Sequence, residues 1–305
     1  FTSMTESNRP ISFIINPASD SRRSVRHISW IREEAEKRWR DFEITIIKKH
    51  ERISDVASLK AGQFDTVVAC GGDGTVSQVV NGIAKQSVNF GVLPVGSGND
   101  FVKSLHLNRP LPECMDILAK GLTTQIDLIR IEGDKQGWCA NTIGLGLDGL
   151  ANYYAHEISS GRGPIIYFWG AVKAIFSFRG SRIQLLKNAS MQEQELLMVT
   201  ACNGKWEGGT FFVAPEADMQ DGFMDLLLIE KIPVYKLIPY LIRFRKGPHK
   251  SMKGVRYSKT ESIEIRSEKM LTVHSDGENL GTDIKHLKLS IEREALRVIV
   301  PKKFY

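Results

Sequence analysis

The residues that could do chemistry in this chain are acids set among glycines. Gly71-Gly72-Asp73-Gly74-Thr75 follows the apolar run Thr66 to Cys70 and precedes Val76, Val79, Val80 and Ile83, which recur at helical spacing. A strand, a glycine turn and a helix start leave a phosphate-sized hollow. Glycine lets backbone N–H groups approach an anion, and the helix N-terminus adds partial positive charge. An acid in that turn repels a bare phosphate, so Asp73 points to a divalent cation or a hydroxyl partner. The other reading is a tight turn in which Asp73 caps the helix. A second glycine turn, Gly96-Ser97-Gly98-Asn99-Asp100, follows Phe90 to Val95. There Ser97 and Asn99 can bond phosphate or ribose oxygens, and Asp100 can hold a metal or cap the next helix.

Two further acid clusters lie late in the chain. Asp276 and Glu278 flank Gly277, and on an extended strand both would face one side. One acid could then take a hydroxyl proton while the other orients a metal or the hydroxyl. Asp276-Gly277 also reads as a hairpin turn. Asp218, Asp221 and Asp225 crowd a loop with Gly222, either as oxygen ligands for a hard cation such as Mg²⁺ or Ca²⁺ or as a solvated acidic turn.

The elements that must position these acids alternate in the first half. Ile11 to Ile15, Phe42 to Ile47, Thr66 to Cys70 and Phe90 to Val95 read as strands, with helices over Val25 to Arg40 and Ile53 to Leu59 and after the first glycine turn. That alternation predicts a parallel sheet with helices on its faces. Asn16-Pro17 and both glycine turns then fall at the carboxyl ends of strands, where such sheets bind ligands. After Asp127 the pattern changes to short strand-like runs: Trp138 to Ile143, Gln184 to Leu186, Glu195 to Ala201, Met224 to Glu230, Ser262 to Arg266, Met270 to Ser275 and Lys285 to Ile291. These predict a largely antiparallel β domain, interrupted by helical pieces at Leu150 to Ser159, Tyr167 to Phe178 and Val234 to Lys246. The expected division is 4–134, with 294–305 open to rejoining it, and 135–293.

Composition narrows the classes. The 305 residues are enough for two domains, and 42% hydrophobic with 25% charged residues is the balance of a soluble globular protein. The apolar stretch Ile165 to Phe178 is interrupted by Lys173 and too short to span a bilayer. The polar N-terminus shows no secretory signal, and Phe1 to Ser3, ahead of Met4, read as a tag remnant. The net charge of +6, spread along the chain, suits anionic membrane surfaces, nucleotides or nucleic acid. Cys70, Cys114, Cys139 and Cys202 form no CxxC pair and read as buried thiols in a reducing cytoplasm. No HExxH spacing indicates zinc, and the absence of GxxxxGK[ST] excludes a Walker-type loop. Gly144 to Gly149 matches GxGxxG, but with no acid about twenty residues on it reads as a turn packing a strand against a helix. Aromatics at nearly every turn of Gly163 to Arg179 read as core, or as cover for an acyl chain or a membrane. The cations Arg243, Arg245, Lys246, His249, Lys250, Lys253 and Arg256 read as a solvated face or as an attraction for anionic lipid heads.

GGDGT followed by VVNG, then PxGSxND over Pro94 to Asp100, resembles the catalytic domain of the diacylglycerol kinase family, which includes bacterial soluble lipid kinases and the sphingosine and ceramide kinases. Asn16-Pro17 resembles the family's first-strand turn, Asn141 to Gly149 its glycine segment, Ala214 to Asp225 its acidic loop and Ser275 to Gly281 its late DGE motif. Asp20 stands where the family usually has Gly, and Ser97 where it usually has Thr. The resemblance implies an α/β plus all-β architecture: an N-terminal doubly wound parallel sheet like that of NAD kinase and phosphofructokinase, a C-terminal antiparallel β-sandwich-like domain, and an active site in the interdomain cleft. It implies ATP and Mg²⁺, with Asn16, Gly71, Gly72, Asp73, Gly74, Thr75, Val76, Ser77, Gly96, Ser97, Asn99 and Asp100 around the nucleotide. Glu278 is implied as the base, with Asp276 and Asp73 sharing the chemistry. A structural Mg²⁺ or Ca²⁺ is implied at Asp218, Asp221 and the carbonyl of Phe223. The expected partner is a lipid substrate met by a cytoplasmic protein peripheral at the inner membrane face, with no nucleic acid and a homodimer left open. NAD kinase shares the GGDGT loop and a β-rich second domain, but PxGSxND and SDGENLG favour the lipid branch. A catalytically inactive nucleotide- or lipid-responsive regulator is the reading from another class.

Overall fold

Short β-branched runs alternating with amphipathic stretches settle the first part of the chain into strands and helices in turn. The computed structural model describes residues 10–17, 27–96, 98–158, 164–187, 190–247 and 252–302. By compactness the chain divides into Phe1–Ile126 with Glu294–Tyr305, and Asp127–Arg293.

The first unit comprises β1 (Ile11–Ile15), α1 (Ile28–Glu36), β2 (Phe42–Ile46), α2 (Ile53–Ala61), β3 (Thr66–Gly71), α3 (Asp73–Ile83), β4 (Asn89–Pro94), α4 (Asp100–Ser104) and α5 (Leu111–Lys120). Its strands run parallel in the order β2–β1–β3–β4. Every residue of β1 and β3 is buried, as a parallel sheet covered on both faces requires. On α1, Ile31 and Ala35 are buried, and beyond it Trp39 packs edge-on to Phe13 at 5.6 Å between ring centres. Because β2 and β3 flank β1 on opposite sides, the strand order reverses there. Such a switch point opens a crevice at the carboxyl ends.

The second unit begins within β5 (Thr123–Gly133) and continues with β6 (Gly137–Cys139), β7 (Thr142–Gly146), α6 (Leu147–Glu157), α7 (Pro164–Ser177), β8 (Ser181–Lys187), β9 (Ser190–Cys202), β10 (Trp206–Glu207), β11 (Phe211–Phe212), β12 (Met224–Glu230), α8 (Val234–Phe244), β13 (Val255–Thr260), β14 (Ser262–Ser275) and β15 (Glu278–Ile299). The order β13–β12–β9–β7–β14–β15 is antiparallel throughout. Alternation along these strands feeds two cores. Leu226 and Leu228 of β12 join Ile143, Val199 and Leu287 in one. Leu227 and Ile229 join Ala174 and Ile175 of α7 and Leu237 and Phe244 of α8 in the other.

Several sequence boundaries change. The expected run Trp138 to Ile143 breaks at Ala140-Asn141, between β6 and β7. Ser262 to Arg266 and Met270 to Ser275 are one strand, its register irregular between Arg266 and Leu271. The expected run Lys285 to Ile291 is the middle of one long strand, β15, and Arg297 and Val298 near its end pair in parallel with Asn89 and Phe90 of β4.

Candidate active site

In the first unit the glycine turn is narrower than its sequence suggests. β3 ends at Gly71 and α3 begins at Asp73, with the extended Gly72 (φ −98°, ψ −167°) between them. Gly74 and Thr75 therefore lie in the first helical turn, whose N–H groups lack intrahelical acceptors and point to where an anion would bind. Asn16, after β1, donates Nδ2–H to the Thr75 hydroxyl at 3.3 Å, joining the ends of β1 and β3 at the switch point. Val76 and Ser77 are buried on α3, as Thr75 is.

Asp73 does not cap its own helix. Its Oδ1 accepts the Asp100 N–H at 2.7 Å, so it caps α4 from the neighbouring loop. Asn99, held at φ 54°, closes that loop by donating Nδ2–H to the Gly96 carbonyl at 2.8 Å. The two loops press together closely enough to demand glycine. A Cβ on Gly96 would overlap the Gly72 Cα, and one on Gly98 would stand 2.5 Å from Asp73 Oδ2. Desolvation, with the charge of Asp100, pushes the Asp73 carboxyl up to about 7 against the N–H groups of Asp100, Asn99 and Phe101, which favour its charged form. Asp100 is part of the helix, and its carboxylate pairs with Lys103 at 2.9 Å. Ser97 and Asp20 lie outside the described residues.

In the second unit the shared-face reading of Asp276 and Glu278 is overturned. Asp276 (φ 51°) and Gly277 (φ 83°) form the two-residue turn between β14 and β15, with Ser275 paired to Glu278. Two positive φ values are the signature of a type I′ hairpin, which explains the Asp-Gly choice. The strand periodicity therefore stops at Ser275. The Asp276 carboxylate is buried and accepts the N–H groups of Ala140 (2.9 Å), Asn141 (2.8 Å) and Thr142 (3.2 Å) and the thiol of Cys139 (3.2 Å). Asp276 is thus a clasp for the β6–β7 link, while Glu278 beyond the turn is exposed. From α6, Asn152 Nδ2–H at 2.8 Å and the His156 ring at 2.9 Å both bond the Gly277 carbonyl. Their spacing of four puts them on one helix face. Asn152→Ala is expected to loosen the turn by about 1 kcal/mol, seen as faster amide exchange over 276–280. Unchanged exchange there would show that α6 does not hold the turn.

The acidic loop does not fit a cation as it stands. Asp218 Oδ1 accepts the Gln220 N–H at 3.0 Å, and Asp221 Oδ1 the Phe223 N–H at 2.9 Å. The Lys259 ammonium already lies 2.6 Å from Asp221 and 3.1 Å from Asp225. An oxygen cage would need that lysine to leave.

Sequence reasoning missed a group of three titratable side chains in the second unit, His274 buried and the two acids partly so. Asp148, Glu207 and His274 come from α6, β10 and β14, and His274 lies 2.7 Å from Glu207 and 3.4 Å from Asp148. Burial alone would lower the His274 pKa, but the two carboxylates hold it well above the ordinary imidazole range. Burial, with the charge of Asp148, pushes the Glu207 carboxyl up to about 7. Only Asp148 lay in a segment that its glycines marked, Gly144 to Gly149.

Two family models match successive parts of the chain. The profile of the diacylglycerol kinase catalytic domain matches residues 10–131, and that of the YegS C-terminal NAD kinase beta sandwich-like domain matches 141–300. A diacylglycerol kinase of Bacillus subtilis (strain 168) is 25% identical over 223 residues, 72% of this chain and 73% of that one. One of Staphylococcus haemolyticus (strain JCSC1435) is 28% identical over 252 residues, 79% of this chain and 73% of that one. Among solved structures, a diacylglycerol kinase from Bacillus anthracis str. Sterne superposes with a TM-score of 0.72 at 18% identity, covering 99% of this chain and 100% of that one. An NAD kinase from Archaeoglobus fulgidus in complex with ATP gives 0.57 at 11% identity, covering 97% and 95%. Both structural likenesses speak to the fold alone.

Proposed function

The chain belongs to the diacylglycerol kinase catalytic-domain family, and from that premise we propose that it is an ATP-dependent lipid kinase acting on the hydroxyl of diacylglycerol or a related membrane lipid. The observation that carries this reading is the pair of glycine loops locked together through Asp73 at the β1–β3 switch point. The first-turn N–H groups of α3 suit the nucleotide phosphates, with Asn16 and Thr75 holding the two strand ends in register. A divalent cation bound with the nucleotide would neutralise phosphate charge. The surplus negative charge of Asp73 beside Asp100 suits such an ion.

In this reading the lipid oxygen forms the new bond to the γ-phosphorus, the bond to the β,γ-bridging oxygen breaks, and ADP leaves. The hydroxyl proton passes to Glu278, which the Asp276-Gly277 turn presents at the surface of its unit. Because Glu278 is exposed, Glu278→Gln is expected to fold normally and to lose activity by about 10²–10⁴. The test is radiolabelled ATP incubated with total lipid extract and, separately, with NAD, with the product identified by mass spectrometry. Label on no lipid, or on NAD instead, overturns the reading.

Among the described residues no helix is long and apolar enough to cross a membrane. We place peripheral contact on α7 and α8, which pack on one core and expose apolar residues on their other sides. Ile165, Trp169 and Phe176 of α7, and Tyr235 and Ile242 of α8, range from 56% to 73% exposed. The aromatic stripe of α7 is thus core on one side only. Exposed Arg243, Arg245 and Lys246 beside it suit an anionic bilayer. Pairing Trp169→Ala with Tyr235→Ala is expected to reduce activity on phosphatidylglycerol vesicles about tenfold and to spare a short-chain soluble acceptor. Equal loss on both substrates would remove the membrane role.

A further inference from the structure

Asp148, Glu207 and His274 are brought together from three separate elements, and their ligand-type atoms all lie within 4.8 Å of one another. His274 is 1% exposed, and its Nδ1 is buried without a hydrogen-bond partner. Nε2 stands 2.7 Å from Glu207 Oε1 and 3.4 Å from Asp148 Oδ2. Glu207 Oε2 is also buried without a partner. Buried polar groups are nearly always paired, so an unsatisfied Glu207 Oε2 beside an imidazole nitrogen that meets two acids needs an explanation. The surroundings are built around this point. Thr200 donates its hydroxyl to Asp148 Oδ2, and a Cβ on Gly144 would collide with the Asp148 carboxylate.

We propose that Asp148, Glu207 and His274 hold a divalent transition-metal ion of the zinc class. One imidazole and two carboxylates supply three ligands of the kinds zinc takes, leaving a fourth position for water. Ligands at about 2.0–2.1 Å around a tetrahedral ion lie about 3.3 Å apart, and the two separations from Nε2, 2.7 and 3.4 Å, fall on either side. The ion would draw Nε2 and one oxygen of each acid to one point and give the Glu207 carboxylate, half of it unpartnered, a ligand role. An imidazole ligand argues against Mg²⁺ and Ca²⁺, which take oxygen cages. The bound ion would tie α6 and β10 to β14 two residues before the Asp276 turn. This site lies within one unit and does not depend on the kinase reading.

The test uses the full chain without a histidine tag, stripped with EDTA and titrated calorimetrically with ZnCl₂, MnCl₂ or MgCl₂. One Zn²⁺ per chain is expected, with a higher melting temperature and no displacement by millimolar MgCl₂. Glu207→Gln and His274→Gln are expected to abolish that binding. Thr200→Val, which removes only the hydroxyl supporting Asp148, should weaken it about tenfold and guards against a ligand variant that fails to fold. A wild-type chain that takes up no Zn²⁺, or binds it no better than Glu207→Gln, overturns the site and leaves a proton-held ion triad.

Discussion

Asp73→Asn is expected to abolish phosphoryl transfer while raising the melting temperature of the ligand-free protein at pH 8. The Asp73 carboxyl is pushed from 3.8 in the unfolded chain to about 7 in the fold, so between those values the folded state holds a proton that the unfolded state has released. Its contribution to stability is complete below the unfolded value and is lost as pH rises through the folded one. Above pH 7 the ionised carboxylate beside Asp100 destabilises the fold by on the order of 4 kcal/mol, the net effect after the N–H groups that favour its charged form. Asparagine keeps an oxygen for the Asp100 N–H and carries no charge, so that loss disappears. Activity should fall by about 10²–10⁴ if the charge serves the cation or the proton. A melting curve at pH 5 and pH 8, wild type against variant, measures the effect. A variant no more stable than wild type at pH 8 would remove the idea that this acid is held against its preference for function.

The second large effect concerns the other unit and has the opposite sign. Asp276→Ala strands the buried N–H groups of Ala140, Asn141 and Thr142 and the thiol of Cys139, all of which the carboxylate now accepts. Each stranded N–H costs about 1–3 kcal/mol, and a non-glycine residue without a short polar side chain at φ 51° adds about 1 kcal/mol. The sum, about 4 kcal/mol or more, is a large share of the 5–15 kcal/mol typical of a folded protein. Asp276→Asn retains an acceptor and the left-handed preference and should lose less. Urea unfolding of both variants discriminates: an alanine midpoint equal to wild type would mean that the clasp contributes nothing. Loss of activity in Asp276→Ala alone therefore cannot identify a base, and the exposed Glu278 is the position where activity and folding separate.

The two acids of the late motif show how far local pattern reaches. Asp-Gly between two apolar runs already spelled a hairpin, and that local signal prevailed over the strand periodicity that would have put Asp276 and Glu278 side by side. The N–H groups that Asp276 accepts belong to a link more than 130 residues earlier in the chain, delivered by the pairing of β7 with β14. The same limit applies to Asp221, whose intended cation is pre-empted by Lys259 from β13.

By itself the sequence determined the features that neighbours along the chain dictate. The strand–glycine–helix order, the second glycine turn, the Asn16-Pro17 turn and the change from alternating elements to short β runs are all written in periods of 2 and 3.6 and in residues with special backbone freedom. Only the tertiary structure decided which groups meet. It turned Asp73 from its own helix to the N-terminus of α4, made one strand of β14 from two runs, and gathered Asp148, Glu207 and His274 to one point. The physical reason is that periodicity reports how a segment presents its faces, whereas the partner of a buried charge is set by strand order and register. Those depend on the whole chain closing its cores at once.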